Sequence, residues 1–174
     1  MNVSSNGKIR LTEIEKVEVV PISVHSDSRG FVVFPFQEMG IRPDGLLGFH
    51  FVTVESGAVR GNHRHPSNIE YLLLLTGEWR VSVRNPKTGE TETKDFDINS
   101  LNKKNAGADR PLLLIPYDWA HAIQNKGEET GSLICFYLDA EAGNNSPSDP
   151  NLGHNNRKAK QPEVESIKDT VVQV

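Results

Sequence analysis

What most restricts the fold of this chain is a short, repeated beat of apolar and β-branched residues, broken every few positions by turn residues, from Lys16 to Leu138. Lys16–Val24 reads KVEVVPISV, and Pro21 inside it marks an edge strand. Phe31–Phe36, Phe49–Glu55, Glu70–Thr76, Trp79–Arg84, Glu90–Ile98, Leu112–Ile115, His121–Asn125 and Ser132–Leu138 continue the series. Turns are expected at His25–Gly30, Gly77–Glu78, Asn85–Gly89, Pro116–Asp118 and Lys126–Gly131. Ile41–Gly48 reads as a loop, and Leu101–Arg110 as an irregular, solvated excursion. About ten short strands without a long helical pattern predict an all-β sandwich or barrel. Along Trp79–Arg84 the alternation puts Trp79, Val81 and Val83 inside, while His50, Val52 and Val54 share one face of their strand. Phe34, Phe36, Phe49 and Phe51 are expected in the core, and Trp79 and Trp119 in packing.

At 174 residues the chain is long enough for a real core. The strands imply one domain over residues 1–139, with its core at 49–138. From Ala140 the composition turns to Gly, Asn, Ser, Pro and charge, so 140–174 reads as a polar tail; Thr170–Val174 is its one candidate edge strand. A net charge of −4 gives no general reason to expect nucleic acid or an anionic membrane. Cys135 is the sole cysteine, which excludes an internal disulfide and suits a reducing compartment. No apolar run approaches the roughly 18 residues of a membrane span, and Met1–Ser5 is not a signal peptide. The expectation is a soluble, cytoplasmic protein.

Chemistry concentrates between Gly57 and Gly77, where His63 and His65 stand two apart and Glu70 follows five residues later. In a strand, residues i and i+2 share a face about 6.6 Å apart, so both imidazoles can converge on one point. A glutamate facing them from the next strand adds an oxygen, and His121, delivered by the turn at Pro116, is the fourth candidate ligand. Three imidazoles and a carboxylate suit one divalent transition metal (Zn, Mn, Fe, Co, Ni or Cu) and match Mg or Ca poorly. Four protein ligands leave positions open on a five- or six-coordinate ion, as a reactive or ligand-binding site requires.

These residues resemble the two motifs of the cupin superfamily. Gly57, His63, His65, Glu70 and Gly77 match every position of the first motif, and Pro116, His121 and Asn125 match the second. Arg110 and Asp118 stand where the second motif has glycines, which puts loop geometry in question. The resemblance covers Phe49–Leu138 and implies a small jelly-roll (cupin) barrel with irregular N- and C-terminal extensions and a metal inside one end. His25–Phe31 together with Arg60-Gly-Asn-His63 is similar to the nucleotide-sugar epimerase and isomerase branch. By that resemblance Arg60 contacts a diphosphate, Arg29 helps hold the nucleotide, His50 lines the pocket, and Tyr137 falls near the epimerases' catalytic tyrosine. The 3,5-epimerases have glutamine at the position of His65, whereas the complete ligand set with Arg-Gly-Asn-His is similar to the metal-binding C-terminal cupin domain of capsular-polysaccharide UDP-sugar enzymes.

The implied function is epimerisation or isomerisation by proton transfer next to a carbonyl, on a nucleotide-activated sugar in polysaccharide biosynthesis. The ligand set also admits an Fe- or Cu-dependent dioxygenase, and a non-catalytic module that binds a sugar or small acid through its metal. The partners implied are a sugar-type small molecule and, through N-terminal strands, a second copy of the chain.

Overall fold

The computed structural model describes residues 16–41, 46–104, 107–138 and 165–166. In chain order the elements are β1 (Glu18–Ile22), β2 (Val24–Asp27), β3 (Gly30–Val33), α1 (Pro35–Glu38), β4 (Leu46–Val54), β5 (Val59–Arg64), β6 (Ile69–Thr76) and β7 (Glu78–Arg84). They continue with β8 (Thr91–Asp97), α2 (Ile98–Lys104), β9 (Arg110–Ile115), β10 (Ala120–Asn125), β11 (Gly131–Leu138) and β12 (Glu165–Ser166). One five-stranded sheet has the order β1-β9-β6-β11-β4, the other β12-β5-β10-β7-β8, and β2 pairs only with β3. Every pairing is antiparallel. This is the jelly-roll barrel of the cupin fold.

The main core lies between the two sheets. Leu72 and Leu74 from β6, Leu133 and Cys135 from β11, and Trp79, Val81 and Val83 from β7 meet there with Ile98 and Ile123. Trp79 is the bulkiest of these, and its Nε1–H donates to Thr76 O at 2.8 Å, so the indole is buried without an orphaned donor. A second cluster covers the outer face of the first sheet: Tyr71, Leu73, Leu75, Leu112 and Phe136, roofed by Val33, Phe36, Met39 and Ile41. Because both faces of β6 are covered, Tyr71–Leu75 is an unbroken apolar run, whereas β7 has only one fully covered face and alternates.

Several expectations need correction. His25–Gly30 is not one turn: β2 and β3 form a hairpin with Val24 opposite Val33, and only Ser28 and Arg29 turn. The strand expected to reach Phe36 stops at Val33, because Pro35 opens α1, where its missing N–H costs no bond. Leu101–Arg110 is not wholly irregular, since α2 runs to Lys104, and Arg110 is fully buried rather than solvated. Its Nε donates to Leu75 O at 3.0 Å, and its two terminal nitrogens donate to Ala108 O and Asn102 Oδ1. Its guanidinium carbon sits 4.9 Å from the Phe31 ring centroid. Carbonyl and ring partners let a guanidinium be buried without a carboxylate, so arginine at this motif position is a structural tie.

Phe36 packs as expected, but Phe34, Phe49 and Phe51 are 49%, 51% and 57% exposed. The pairing of Phe49 with Phe136 and of Phe51 with Ile134 puts both β4 phenylalanines on the outer face, where Phe36 of α1 meets the Phe49 ring at 5.9 Å but leaves it half exposed. The edge strand expected over Lys16–Val24 is β1, whose Pro21 faces Pro111. The tail expected over 140–174 lies outside the described residues apart from β12, and Thr170–Val174 lies wholly outside them. Among the described residues, no helix is long and apolar enough to cross a membrane.

Candidate metal centre

The centre is built on β5, β6 and β10. His63 pairs with His121 across the β5–β10 ladder, then the register slips, so that Gly61 faces Ala122 and Arg60 faces Ile123. Asn62 is the extra residue of a β-bulge, with φ of 57° beside Gly61 at φ of 91°. Without the bulge, Arg60 and His63 would point to opposite faces. With it, both share the inner face with His121 and Ile123. A Cβ on Gly61 would lie 2.8 Å from His121 O, so this crossing requires glycine.

His65 leaves the end of β5 and is anchored through its carbonyl, which accepts a hydrogen bond from Asp118 N at 2.7 Å. Asp118 has φ of 67°. The aspartate thus adopts the left-handed conformation that a glycine supplies in the cupin motif, and the departure at this position leaves the turn intact. Asn125 is fully buried: its side chain donates to Val54 O and Glu129 O and accepts from Gly127 N, which fixes the loop after β10.

Glu70, on β6, faces inward between Ile115 and Tyr137. One ligand-type atom from each of His63, His65, Glu70 and His121 lies within 4.8 Å of the others. His121 Nε2 is 2.7 Å and His65 Nε2 3.5 Å from Glu70 Oε2. Yet Glu70 Oε2 accepts no well-directed hydrogen bond, and His63 Nε2, also buried, has no partner. Lone pairs that converge on one point without donors between them are what a cation site needs. A nitrogen-rich set of this kind fits a divalent transition metal.

The protonation of His63 and Glu70 agrees with that fit, and His121 has a proton to release on binding a cation. Burial, and next the neighbouring His121, push the His63 imidazole down to about 4, so it is neutral at pH 7 and able to ligate. Burial alone would raise Glu70, but the His121 and His65 imidazoles outweigh it and hold the carboxyl well below its usual range. Burial alone would lower His121, but the Glu70 carboxylate overrides it and raises its pKa. His121 Nδ1 faces Trp119 O at 3.5 Å, an orientation that turns Nε2 toward the cluster.

Around this set, Tyr137 donates its hydroxyl to Glu70 Oε1 at 3.0 Å, and its ring lies 4.8 Å from that of His65. His50 stacks on Tyr137 at 5.7 Å and remains exposed. Arg60 donates Nε to Thr53 O at 3.1 Å and leaves the rest of its guanidinium exposed. Arg29 is not brought to the cluster: it sits at the β2–β3 tip, 87% exposed, paired with Asp27. Sequence reasoning passed over Arg64, which binds Asp118 at 2.8 Å and Glu165 at 2.6 Å and so joins β5 to the second motif and to β12. Cys135, read from the sequence only as an unbridged thiol, points inward with the same parity as Tyr137, as the alternation of β11 implies.

Fold and site together define a cupin with a four-residue, metal-type centre inside its barrel. The chain belongs to the polysaccharide biosynthesis C-terminal domain family, which matches residues 25–149. No curated protein sequence matches it. Among solved structures it is similar to QdtA, a sugar 3,4-ketoisomerase from Thermoanaerobacterium thermosaccharolyticum in complex with TDP, with 14% identity and a TM-score of 0.52 over 71% of this chain and 80% of that one. It is also similar to a double mutant of ChmJ, a 3'-monoepimerase from Streptomyces bikiniensis, in complex with dTDP, with 18% identity and a TM-score of 0.54 over 73% of this chain and 65% of that one. The capsular polysaccharide assembling protein CapF from Staphylococcus aureus is 19% identical over 68% of this chain, with a TM-score of 0.47. This chain spans 31% of the length of CapF.

Proposed function

We propose that the barrel of residues 1–139 is a metal-dependent epimerase or isomerase that moves a proton next to a carbonyl on a nucleotide-activated sugar in polysaccharide biosynthesis. The observation that carries this reading is the convergence of three imidazoles and a carboxylate on the inner face, with Arg60 turned onto that face by the bulge. His63, His65, Glu70 and His121 are the ligands. A divalent transition metal held there supplies Lewis acidity to a carbonyl oxygen, which lowers the cost of removing a proton from the neighbouring carbon.

The chain's own groups do the rest. Arg60 keeps its terminal guanidinium nitrogens free of the Thr53 bond and offers a planar fork for diphosphate oxygens. His50, exposed and stacked on Tyr137, is the imidazole that a sugar meets on entering from solvent, and we assign it the proton-accepting role. Tyr137 is a poor base: burial, and next the Glu70 carboxylate, push its phenol far above the ordinary range. Arg29, paired to Asp27 on an exposed hairpin, has no part in the reading within one protomer.

The reading includes a homodimer. Phe49 and Phe51 are exposed on β4, which lies at the end of its sheet among the described residues and carries no Lys, Arg, Asp or Glu. An uncharged edge beside bare aromatic rings is a surface that soluble proteins cover. The buried, unbridged Cys135 suits the cytoplasm.

The test is solvent deuterium incorporation into TDP- and UDP-4-keto-6-deoxyglucose by protein loaded in turn with Zn, Mn, Fe, Co, Ni and Cu. Exchange at the carbon next to the carbonyl is expected with at least one metal. No exchange with any combination overturns the isomerase reading, and oxygen uptake by the Fe or Cu form reassigns the centre to dioxygen chemistry.

A further inference from the structure

Glu70 and Tyr137 are direct partners in the β6–β11 ladder, and both side chains point into the barrel. Each is at most 4% exposed. The two oxygens of Glu70 have different surroundings. Oε1 accepts the Tyr137 hydroxyl at 3.0 Å, whereas Oε2 faces His121 Nε2 at 2.7 Å and accepts no well-directed hydrogen bond. The phenol is itself confined: its ring lies 4.8 Å from that of His65 and is stacked at 5.7 Å on His50. A side chain held by strand register, by two rings and by burial cannot swing to another partner without unpacking the site.

We infer that Tyr137 is a positioning residue that ties up Glu70 Oε1, so that Glu70 offers only Oε2 to the metal and a coordination position stays open for a ligand oxygen. The inference rests on the metal-binding part of the proposed function. It gives Tyr137 a different task from the catalytic one that the family resemblance implied. A carboxylate free to rotate can close on a metal with both oxygens and fill the position a substrate needs. A phenol held against one oxygen keeps the ligand one-armed. The cross-strand register fixes the relationship before any metal arrives, which is how outer groups commonly orient ligands.

The experiment uses Co(II) as probe in the full chain, comparing wild type, Tyr137→Phe and Tyr71→Phe. Tyr71 is the control because its hydroxyl is also buried, but it has no partner and lies in the outer cluster. Tyr137→Phe is expected to shift the visible d–d bands of bound Co(II) toward the weaker absorption of a higher coordination number, as Glu70 closes with both oxygens; Tyr71→Phe is expected to leave bands and affinity unchanged. To keep the test independent of how Tyr137→Phe folds, the wild type is also read alone, by infrared difference spectra of Zn-loaded minus metal-free protein. A wide splitting of the carboxylate stretches, the signature of one-oxygen ligation, is expected. Unchanged bands in a folded Tyr137→Phe, or a narrow two-oxygen splitting in wild type, overturns the inference. A wild type that binds neither Co(II) nor Zn(II) overturns the metal reading itself.

Discussion

Gly61 lies against the backbone of His121, so closely that a Cβ on Gly61 would stand 2.8 Å from the histidine's carbonyl oxygen and 3.0 Å from Ala122 Cα. The contact is at the bulge that turns His63 and Arg60 to one face. Backbone atoms cannot yield as a flexible side chain does, so Gly61→Ala must push β5 away from β10. We expect a loss of about 1–3 kcal/mol in urea unfolding and metal content well below one equivalent by elemental analysis. A variant that keeps full stoichiometric metal shows that the bulge does not position the ligands.

Acidification acts on the metal-free protein through His63. Burial holds its folded pKa at about 4, below the 6.5 of a free imidazole, so the unfolded chain takes up a proton first as pH falls. The stability due to the neutral imidazole is therefore whole above pH 6.5 and is lost as pH falls toward 4. His121 runs the other way. Its pKa is raised, so its contribution is present below 6.5 and fades as pH rises through the folded value. Urea midpoints of chelator-treated protein should fall from pH 6.5 to 4, and fall less in His63→Asn. Equal slopes in the two proteins remove His63 as the cause.

Phe51→Lys places a charge on the exposed face of β4, next to the open edge. If that edge joins two copies, light scattering should report a dimer for wild type and a monomer for the variant, with near-ultraviolet circular dichroism unchanged. Dimeric Phe51→Lys moves the interface elsewhere.

Tyr71 buries a hydroxyl that has no partner while its ring stacks on Phe136 at 4.7 Å. Removing the oxygen relieves a desolvated polar group and keeps the ring, so Tyr71→Phe should be neutral or stabilising by up to about 1 kcal/mol. A clear loss of stability in urea unfolding means that the hydroxyl is satisfied in solution.

Strand and turn chemistry was legible wherever one face of an element meets water. The alternation of Trp79, Val81 and Val83 and the turn at Asn85–Gly89 show it. The ligand-type residues were legible because their spacing is local, and His121 because its turn repeats a known pattern. What stayed hidden depends on contacts between distant segments. Phe49 and Phe51 read as core because an apolar strand residue looks the same however much of it is roofed; here Phe36 of α1 touches one side of Phe49, and both rings stay more than half exposed. Arg110 read as solvated because only the folded chain brings it Leu75 O, Ala108 O and Asn102. Asp118 raised doubt about a loop because the sequence does not reveal that an aspartate takes φ of 67° there. The role of Tyr137 was obscured for the same reason, since its register against Glu70 is set by the whole sheet.

Arg64 closes the longest loop of these contacts, reaching Glu165 101 residues away. Among the described residues, β12 adds two pairs to the outer edge of β5 beside it. Both partners are partly exposed, so their attraction is modest and fades as ionic strength shortens the Debye length to about 3 Å near 1 M salt. One border of the sheet that carries His63 and His121 is therefore fastened by a clasp that brine can undo, while the opposite sheet stays fixed by buried packing. High salt should leave the far-ultraviolet signal intact and yet let amide deuterium exchange quicken along Val59–Arg64.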